Sequence, residues 1–566
     1  MYKVVTSRRE CCHEARDGVR RCRGRGRDVA VVRSVARRRG RPGRTGRWRV
    51  FPPAWYAEFH PRAEEVGTIG ERRSELLFLA VFAFAFLLHA HMFHYTVDDA
   101  FISFRYARNL VEGEGLVFNP GERVEGYTNF LWTVLLAGGM KAGLDPVPLS
   151  RWLGVLSGLA LLGASWRFLR RRLPTGSLAL LAPVPIAASG AVALWSGAGL
   201  ETVFYTLLVF TGAAAATGPE RRSWLAPSAL FALAALTRPE GALLYAVVTV
   251  ERLLSRRLSL RRAWPGALLF AALLAGHEAW RIAYYGDFLP NTFYAKTGGG
   301  PSAAWRGLGY LWRFFCPAGG WVLLAPLPLL LIGRKRSWER TFGAVLLTQI
   351  VYVVAVGGDS LPFFRFLVPA VPFLAALAVA GLDRLFSFRD GTVGAPRLIA
   401  LAVLLALPLH ASFRGEALRF LEEDRDRVEL HWKVIGRWLG ENADPEATIA
   451  VTTAGAIPYY SGLRTIDMLG ITDRPIARRE MPEMGNGLAG HEKHDMEYVL
   501  HRRPDYILHY TFLLPEPIFT TGQFRTPWNR GLEELLKSER FDREYRGRSA
   551  EIGRMYFVYF QRKEEG

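Results

Sequence analysis

Long apolar runs separated by short charged segments dominate the chain between about residues 75 and 413. Typical runs cover residues 75–94, 178–195 and 366–380. Each approaches the roughly 20 helical residues that are needed to cross the hydrocarbon core of a bilayer. The pattern therefore predicts a polytopic α-helical membrane domain over residues 73–413, with roughly 11 spans.

Two apolar segments differ from simple spans. The segment 130–144 is short and is broken by Gly138, Gly139 and Lys141, so we expect it to lie along the membrane interface. The segment 225–254 is interrupted by Thr-Arg-Pro-Glu-Gly at residues 237–241. We interpret it as two short helices that meet at an outer turn, with a single kinked span as the alternative.

The character of the chain changes after about residue 411. Residues 414–566 are predicted to form a soluble α/β domain, which is large enough to bury a core of its own. Its predicted elements are an amphipathic helix at 416–441 and β-rich runs at 448–453, 464–468, 506–510 and 555–560. Four of its side chains either contact carbohydrate or pack the domain, and we favour packing: Tyr459, Tyr460, Asp467 and Asp473.

Half of the 566 residues are hydrophobic, and they occur in blocks rather than at the spacing of a soluble core. This arrangement excludes a soluble enzyme. The four cysteines also exclude a disulfide-built scaffold, because three of them lie within the first 22 residues and the fourth is Cys316.

Residues 1–72 form an Arg-rich leader, and its first 50 residues hold 17 Lys and Arg against 4 Asp and Glu. Such a run is typical of nucleic-acid or anionic-lipid binding, of a solvated cytoplasmic tail, or of upstream DNA translated from a misplaced start codon. Only 8 of the 72 basic residues are lysine, which is typical of a GC-rich genome. We therefore favour the last two interpretations and predict a disordered leader without a nucleic-acid partner.

Basic clusters between the apolar runs predict the orientation, because Lys and Arg are enriched on the cytoplasmic side of membrane proteins. The clusters at residues 170–172, 221–222, 256–262 and 334–336 are therefore placed in the cytoplasm. The loop 95–128 that follows the first span, and the domain 414–566, are then placed outside.

Polar residues concentrate in the outer loops, where they often mark a functional site in a membrane protein. The first outer loop begins with Asp98 and Asp99. Asp98, Ile102, Arg105 and Asn109 share one face of the helix predicted there. Two carboxylates at the start of a helix are equally explained as caps favoured by the helix dipole, and this alternative stays open.

The other outer loops contribute further charges and amides, namely Glu201, Arg238, Glu240, Asn291, Lys296, Asp359 and Arg365, and the first loop adds Glu125 and Tyr127. Carboxylates and cations that converge from five loops on one membrane face indicate a site for an anionic substrate that carries hydroxyl groups.

Other classes of chemistry lack their sequence signatures. Gly-x-Ser-x-Gly and a metal-ligand spacing of His and Cys are absent, and no Walker loop or dinucleotide fingerprint precedes a helix in a βαβ context. A transporter stays an alternative, although we find neither an inverted repeat nor a pair of broken mid-membrane helices.

The first outer loop resembles a known family. Asp98-Asp99-Ala100 after a first span, followed by a basic and aromatic helix, resembles the GT-C superfamily of membrane glycosyltransferases. The 31 residues 98–128, with the core Asn-Leu-Val-Glu-Gly-Glu-Gly-Leu-Val-Phe-Asn-Pro-Gly-Glu-Arg-Val-Glu at 109–125, are similar to arabinofuranosyltransferases that cap mycobacterial cell-wall arabinan. The Gly-Gly-Asp at 357–359 with Arg365 is similar to a late motif of that group.

This resemblance implies sugar transfer from a lipid phosphate, in which one carboxylate deprotonates the acceptor hydroxyl and the anomeric carbon is inverted. Asp98 is the first choice for the base, and Asp99 is the alternative base or the ligand of a divalent cation. Arg105, Lys296 and Arg365 are the candidates for binding the donor phosphate. A divalent cation is not required, because Arg and Lys can neutralise a monophosphate leaving group. The remaining polar residues are assigned to substrate binding: Glu125, Tyr127, Glu201, Arg238, Glu240, Asn291 and Asp359.

The chain is thus expected to be a multi-pass glycosyltransferase of the bacterial inner membrane, with its site and its C-terminal domain facing the periplasm. Its expected partners are a polyprenyl-phosphate sugar such as an arabinofuranose donor, a cell-envelope glycan acceptor and the lipid bilayer. The alternatives are a transporter or flippase of lipid-linked saccharides and a non-catalytic envelope-assembly protein.

Overall fold

The computed structural model describes residues 63–564 except 174–175, 219–222, 333–335, 388–393, 412–415, 483 and 518–530, together with strand backbone within residues 13–50. The chain divides into two units, Met1–Phe78 and Leu79–Gly566. The first contains an antiparallel sheet of strands β1 (His13–Glu14), β2 (Val19–Gly24), β3 (Arg27–Val32) and β4 (Arg49–Val50). Most of residues 1–62 lies outside the described residues, so the disordered leader and the three-part domain division stay predictions.

Helices make up most of the described chain from residue 63 to residue 411. They are α1 (Ala63–Met92), α2 (Asp98–Glu112), α3 (Phe130–Lys141), α4 (Pro146–Arg170), α5 (Pro183–Ala188), α6 (Gly190–Gly197), α7 (Thr202–Ala216), α8 (Leu225–Thr237), α9 (Glu240–Leu254), α10 (Leu260–Tyr285), α11 (Asn291–Lys296), α12 (Gly300–Phe315), α13 (Trp321–Leu324), α14 (Ser337–Val356), α15 (Val371–Ser387) and α16 (Ala395–Ala411). Three 3₁₀ segments at Gly176–Leu181, Leu327–Leu331 and Arg365–Ala370 connect some of them.

Four helical segments in the described part of the chain are long and apolar enough to cross a membrane: Arg73–Met92, Pro146–Arg170, Ser337–Val356 and Arg365–Phe386. The bent pair Gly176–Ala188 and Gly190–Gly197 makes a fifth if it counts as one span. Five further apolar helices are shorter, with 10–17 residues. The helical membrane fold agrees with the sequence, whereas the number of roughly 11 spans stays a prediction.

Two basic clusters used for the orientation, 221–222 and most of 334–336, lie outside the described residues.

The two unusual apolar segments form the helices that their sequences indicate. Helix α3 has 12 residues and ends at Lys141, so it is about 18 Å long and too short to span the bilayer core. Residues 225–254 form two helices, α8 and α9, which are separated at Arg238 and Pro239. The interpretation as two helices is confirmed, because Pro239 lacks the backbone N–H that would continue the first one.

The C-terminal region forms the predicted α/β structure. Its helices are α17 (Glu416–Asp426), a π-helical turn (Arg427–Trp432), α18 (Lys433–Asn442), α19 (Ala456–Ser461), α20 (Arg474–Arg478), α21 (Met496–His501), α22 (Gly531–Leu536) and α23 (Glu539–Glu544). Its strands are β5 (Thr448–Val451), β6 (Arg464–Asp467), β7 (Tyr506–Leu508), β8 (Leu513–Leu514), β9 (Tyr545–Ile552) and β10 (Met555–Arg562).

These strands form one mixed sheet in the order β6-β5-β7-β10-β8, with β9 paired to β10. Strand β5 pairs in parallel with β6 and β7, and β10 pairs antiparallel with β7, β8 and β9. The inner strand β5 is mostly apolar, and its Ile449, Ala450 and Val451 are fully buried. Ala450 belongs to a core that also contains Ile466, Ile507 and Leu535, so the sheet and its helices stabilise each other by burying apolar surface.

Candidate functional site

The candidate site lies around the N-terminus of α2, where Asp98 and Asp99 have different surroundings. Both carboxylates occupy the first turn of the helix, where the helix dipole favours negative charge. The N-cap position is Val97, so neither carboxylate is the N-cap residue of α2. The helix predicted from the sequence is confirmed, and stabilisation of both carboxylates by its dipole stays open as an explanation for them.

Asp98 is engaged by the C-terminal domain. Its Oδ2 accepts a hydrogen bond from the amide of Gly455 (3.1 Å) and its Oδ1 accepts one from the amide of Ala456 (2.7 Å), at the start of α19. A Cβ at Gly455 would lie 2.1 Å from the Asp98 carbonyl oxygen, so only glycine permits this approach. Burial raises the pKa of Asp98 to about 7, against the opposing effect of the two amides.

Asp99 is the more accessible carboxylate. Its side chain is 36% exposed, and its Oδ2 lies 3.9 Å from a guanidinium nitrogen of Arg365. The structure therefore brings together two residues that are 266 positions apart in the sequence and are both among the predicted site residues. A partly exposed carboxylate beside a cation is suited to contact a substrate.

Arg365 is held in place by Asp359. Its Nε donates to Asp359 Oδ2 (2.7 Å) and one terminal nitrogen donates to Oδ1 (3.1 Å). This two-point contact fixes the plane of the guanidinium and leaves its other terminal nitrogen on the side of Asp99. Asp359 follows Gly357 and Gly358, whose φ angles of 83° and 75° favour glycine. Asp359 thus orients the cation, rather than binding substrate as the sequence suggested.

Lys296, at the end of α11, is a second cation at the site. Its side chain is exposed, and it interacts electrostatically with Asp99, Arg365 and Asp359. Within the described part of the chain its ammonium makes no hydrogen bond and no ion pair. Lys296 is therefore available to an anionic ligand, and its assignment to the donor phosphate stays a prediction.

Arg238 joins the site through a network of charges. Its guanidinium pairs with Glu201 (3.1 Å) and Glu240 (2.6 Å), and Glu201 also accepts a hydrogen bond from Asn129 (2.9 Å). Its carbon Cζ lies 5.1 Å from the ring centre of Phe366, and Arg365 lies at the same distance from that ring. The two arginines therefore flank one aromatic side chain, with Glu201 and Glu240 balancing their charge.

Arg105 corrects a sequence-based expectation. Its guanidinium donates to the carbonyls of Phe118 (2.7 Å), Pro458 (2.6 Å) and Leu463 (2.8 Å), and to Asn119 Oδ1 (3.2 Å). The residue is only 2% exposed. Arg105 is therefore occupied by protein acceptors and is not available to a donor phosphate. The predicted face that carries Asp98 and Arg105 does exist, but it docks α2 on the C-terminal domain.

Three more candidates are also structural. Glu125 is buried and pairs with Arg281 (2.6 Å), and the hydroxyl of the buried Tyr127 lies 3.1 Å from that of Tyr285. Asn291 donates to the backbone carbonyls of residues 470, 471 and 473. These contacts attach the first outer loop and α11 to their neighbours, so the assignment of these residues to substrate binding is corrected.

The 455–473 stretch packs the domain, as the sequence favoured. The rings of Tyr459 and Tyr460 each lie 5.5 Å from that of Phe101. Asp467 accepts hydrogen bonds from the amides of Leu469 and Thr472, and Asp473 caps α20. These side chains are occupied by internal contacts.

No group of three or more His, Cys, Asp or Glu side chains that could hold a metal ion occurs among the described residues. A divalent cation held by Asp99 therefore stays a prediction, without a ligand set to support it.

Sequence reasoning missed two residues near the site, Arg306 and Glu492. Arg306 lies in α12 and donates to the carbonyl of Gly357 (3.0 Å), directly before the Gly358-Asp359 pair. Glu492 belongs to the C-terminal domain, is 3% exposed and lies 3.4 Å from Arg306. The signal that could have indicated Arg306 is its position in an apolar helix among tryptophans, where a charge needs a partner.

Two curated proteins are similar to part of this chain. The chain is 31% identical over 259 residues to the terminal β-(1→2)-arabinofuranosyltransferase of Mycobacterium tuberculosis, a match that covers 42% of this chain and 41% of the relative. It is 30% identical over 329 residues to the enzyme of the same name from Corynebacterium glutamicum, covering 48% of this chain and 47% of that one. The chain thus matches less than half of the length of these curated relatives.

The model of a domain of unknown function, DUF8728, matches residues 419–557. Among solved structures, apo ArnT from Cupriavidus metallidurans has a TM-score of 0.54 at 14% identity and covers 87% of this chain and 98% of that one. The same protein bound to undecaprenyl phosphate has a TM-score of 0.52 at 15% identity, covering 69% and 85%. The predicted fold class, a GT-C-like membrane protein with a C-terminal α/β region, and the resemblance to the mycobacterial arabinofuranosyltransferases are both confirmed.

Proposed function

We propose that the chain is a membrane glycosyltransferase that moves a sugar from a polyprenyl-phosphate donor to a hydroxyl group of a cell-envelope glycan. The observation that carries the proposal is the meeting of the accessible carboxylate of Asp99 with the Arg365 guanidinium, 3.9 Å away. The similarity to two arabinofuranosyltransferases supports arabinofuranose as the donor sugar.

The cations are assigned to the donor phosphate. As the bond between the anomeric carbon and the phosphate oxygen breaks, that oxygen gains negative charge. Arg365, held rigid by Asp359, and Lys296, free of hydrogen bonds and ion pairs within the described part of the chain, are the groups that would stabilise it. Arg238 adds positive charge behind Phe366 but is already paired with Glu201 and Glu240.

Asp99 is assigned to the acceptor. It accepts the proton of the acceptor hydroxyl while the oxygen of that hydroxyl attacks the anomeric carbon. The polyprenyl phosphate leaves on the opposite side, so that one displacement inverts the anomeric configuration. Asp98 is less suitable for this step than the sequence suggested, since both of its oxygens already accept backbone hydrogen bonds.

The location follows from the same assignment. We place the chain in the bacterial inner membrane, with the cluster and the C-terminal domain on the periplasmic side. The basic clusters that remain among the described residues support this orientation under the positive-inside rule.

The test is a transfer assay with purified protein in nanodiscs, a panel of polyprenyl-phosphate pentoses and hexoses, and arabinan-type oligosaccharide acceptors. We expect wild type to extend the acceptor with inversion, as measured by mass spectrometry and NMR of the new linkage. Arg365→Gln should lower kcat/KM by about 10²–10³-fold, because it removes a fixed cation from the leaving phosphate. Arg313→Gln, which changes an exposed arginine of α12, should have the kcat/KM of wild type. Absence of transfer by wild type across the panel would contradict the proposal.

A further inference from the structure

A segment of the C-terminal domain lies against the cations of the candidate site. A Cβ at Gly490 would be 3.3 Å from Lys296 Cε, and one at Gly299 would be 2.9 Å from the Cα of Gly485. We name residues 484 to 492 the strap. The strap therefore contacts both Lys296 and the residues that begin α12. The conformations of Gly485 (φ 92°) and Gly490 (φ 79°) favour glycine at both positions.

The side chain of Arg306 joins the strap to the membrane domain. Its Nε donates to the carbonyl of Gly357 (3.0 Å). One terminal nitrogen donates to the carbonyls of Gly485 (3.1 Å) and Gly487 (2.9 Å) and lies 3.4 Å from Glu492 Oε1. The guanidinium makes these contacts from two separate nitrogens, whereas the donors of an ammonium group all lie on one nitrogen.

Glu492, the last residue of the strap, forms hydrogen bonds with the backbone near its first residues. Its Oε1 accepts hydrogen bonds from the amides of Gly485 and Gly487, both at 2.8 Å. The residue is 3% exposed, so its charge needs the compensation that Arg306 provides. The strap is thus held as a closed loop by its own carboxylate and is attached to α12 by one arginine.

Helix α12 also fixes the backbone around Asp359 and Arg365. A Cβ at Gly357 would lie 2.8 Å from a terminal nitrogen of Arg306, and one at Gly358 would lie 2.9 Å from Tyr310 Cβ. The amide of Phe366, directly after Arg365, donates to the hydroxyl of Tyr310 (3.4 Å). One face of α12 therefore holds both ends of the segment that orients the Arg365 guanidinium.

We propose that Arg306 is a positioning residue for the donor phosphate: it couples the strap to the Gly357–Asp359 turn, and thereby holds Lys296 and Arg365 at the spacing that one phosphate requires. The inference rests on the proposed function and extends it, because it makes phosphate binding in the membrane domain depend on a segment of the C-terminal domain. Arg306 acts through Gly357, Asp359 and Glu492, and does not itself contact the phosphate.

The experiment measures binding of undecaprenyl phosphate to the full-length protein in nanodiscs, together with its thermal unfolding. Arg306→Gln should weaken binding about 10-fold, corresponding to about 1.4 kcal/mol. Arg306→Lys keeps the charge but cannot contact Gly357 and the strap together, so it should show a similar loss. Arg313→Gln, on the same helix, should bind as wild type does. Glu492→Gln keeps an acceptor for the two amides and should show a smaller loss.

The unfolding temperature distinguishes positioning from general stability. We expect Arg306→Lys to unfold within a few degrees of wild type and yet to bind undecaprenyl phosphate more weakly. Wild-type affinity in Arg306→Lys would overturn the inference. Equal affinities of Arg306→Gln and Arg313→Gln would overturn it as well. Absence of undecaprenyl phosphate binding by wild type would instead contradict the proposed function, and the inference would fall with it.

Discussion

The two neighbouring carboxylates at the start of α2 perform different tasks. Asp98 accepts two backbone hydrogen bonds from Gly455 and Ala456, whereas Asp99 stays 36% exposed beside Arg365. The sequence predicts the acidic pair, but it cannot predict which member is occupied, because the partners of Asp98 lie more than 350 positions away. That choice is made only when the C-terminal domain docks on α2.

The contact between Asp98 and α19 should make stability depend on pH. Because burial raises the pKa of Asp98 to about 7, the folded state binds more protons than the unfolded state between pH 4 and pH 7. The free energy of unfolding therefore falls as pH rises through this interval. Asp98→Asn should remove this component, and it should also cost about 1–3 kcal/mol by leaving one backbone amide without an acceptor.

The measurement is thermal unfolding in detergent at several pH values. We expect the unfolding temperature of wild type to decrease more steeply from pH 4 to pH 7 than that of Asp98→Asn. Glu114→Gln, an exposed substitution just after α2, is the control and should follow wild type. Equal slopes in wild type and Asp98→Asn would contradict the assigned pKa.

At the level of elements, α2 is one of the links between the membrane domain and the C-terminal domain. Its periodicity correctly places Asp98 and Arg105 on one face, and both side chains form hydrogen bonds with the backbone of the C-terminal domain. A pattern of charges along a helix shows which residues lie together, but not whether the partner is a ligand or another domain. The strand β9 was also missed, because its Arg546, Arg548 and Glu551 are exposed and break the apolar alternation.

Arg105 should therefore contribute to the attachment of the C-terminal domain. Arg105→Lys cannot satisfy the carbonyls of Phe118, Pro458 and Leu463 together, so we expect a loss of about 2–4 kcal/mol in the free energy of unfolding. Arg108→Lys, on the same helix, loses a single hydrogen bond to Tyr459 and should cost less. Limited proteolysis should degrade Arg105→Lys faster than Arg108→Lys, and equal rates would contradict the role.

For the whole molecule, the apolar blocks predict the helical membrane region and the β-rich runs predict the C-terminal domain. Both follow from patterns that are local in the sequence. Contacts such as Asp99 with Arg365, or Arg306 with Glu492, join distant segments and depend on how the helices pack. The sequence therefore predicts a set of candidate residues, but it does not predict which of them are engaged by distant parts of the protein.

The packing also constrains the topology. Residues of the first outer loop and of the C-terminal domain are in direct contact, as between Asn119 and Thr465 (2.8 Å). Reporters inserted at the exposed Gly121 and fused after Gly566 should therefore both indicate the periplasm, and one inserted near Arg257 should indicate the cytoplasm. A cytoplasmic signal from Gly121 would place the cluster on the wrong side for a periplasmic donor.

The most direct measurement of the central claim compares two isosteric substitutions in single-turnover transfer of arabinofuranose from its polyprenyl phosphate. Asp99→Asn removes the proton acceptor and should lower the rate of transfer by about 10²–10⁴-fold, while undecaprenyl phosphate still binds. Asp98→Asn should retain most of the rate at a temperature where it is folded, and Glu114→Gln should match wild type. Wild-type transfer by Asp99→Asn would contradict the account.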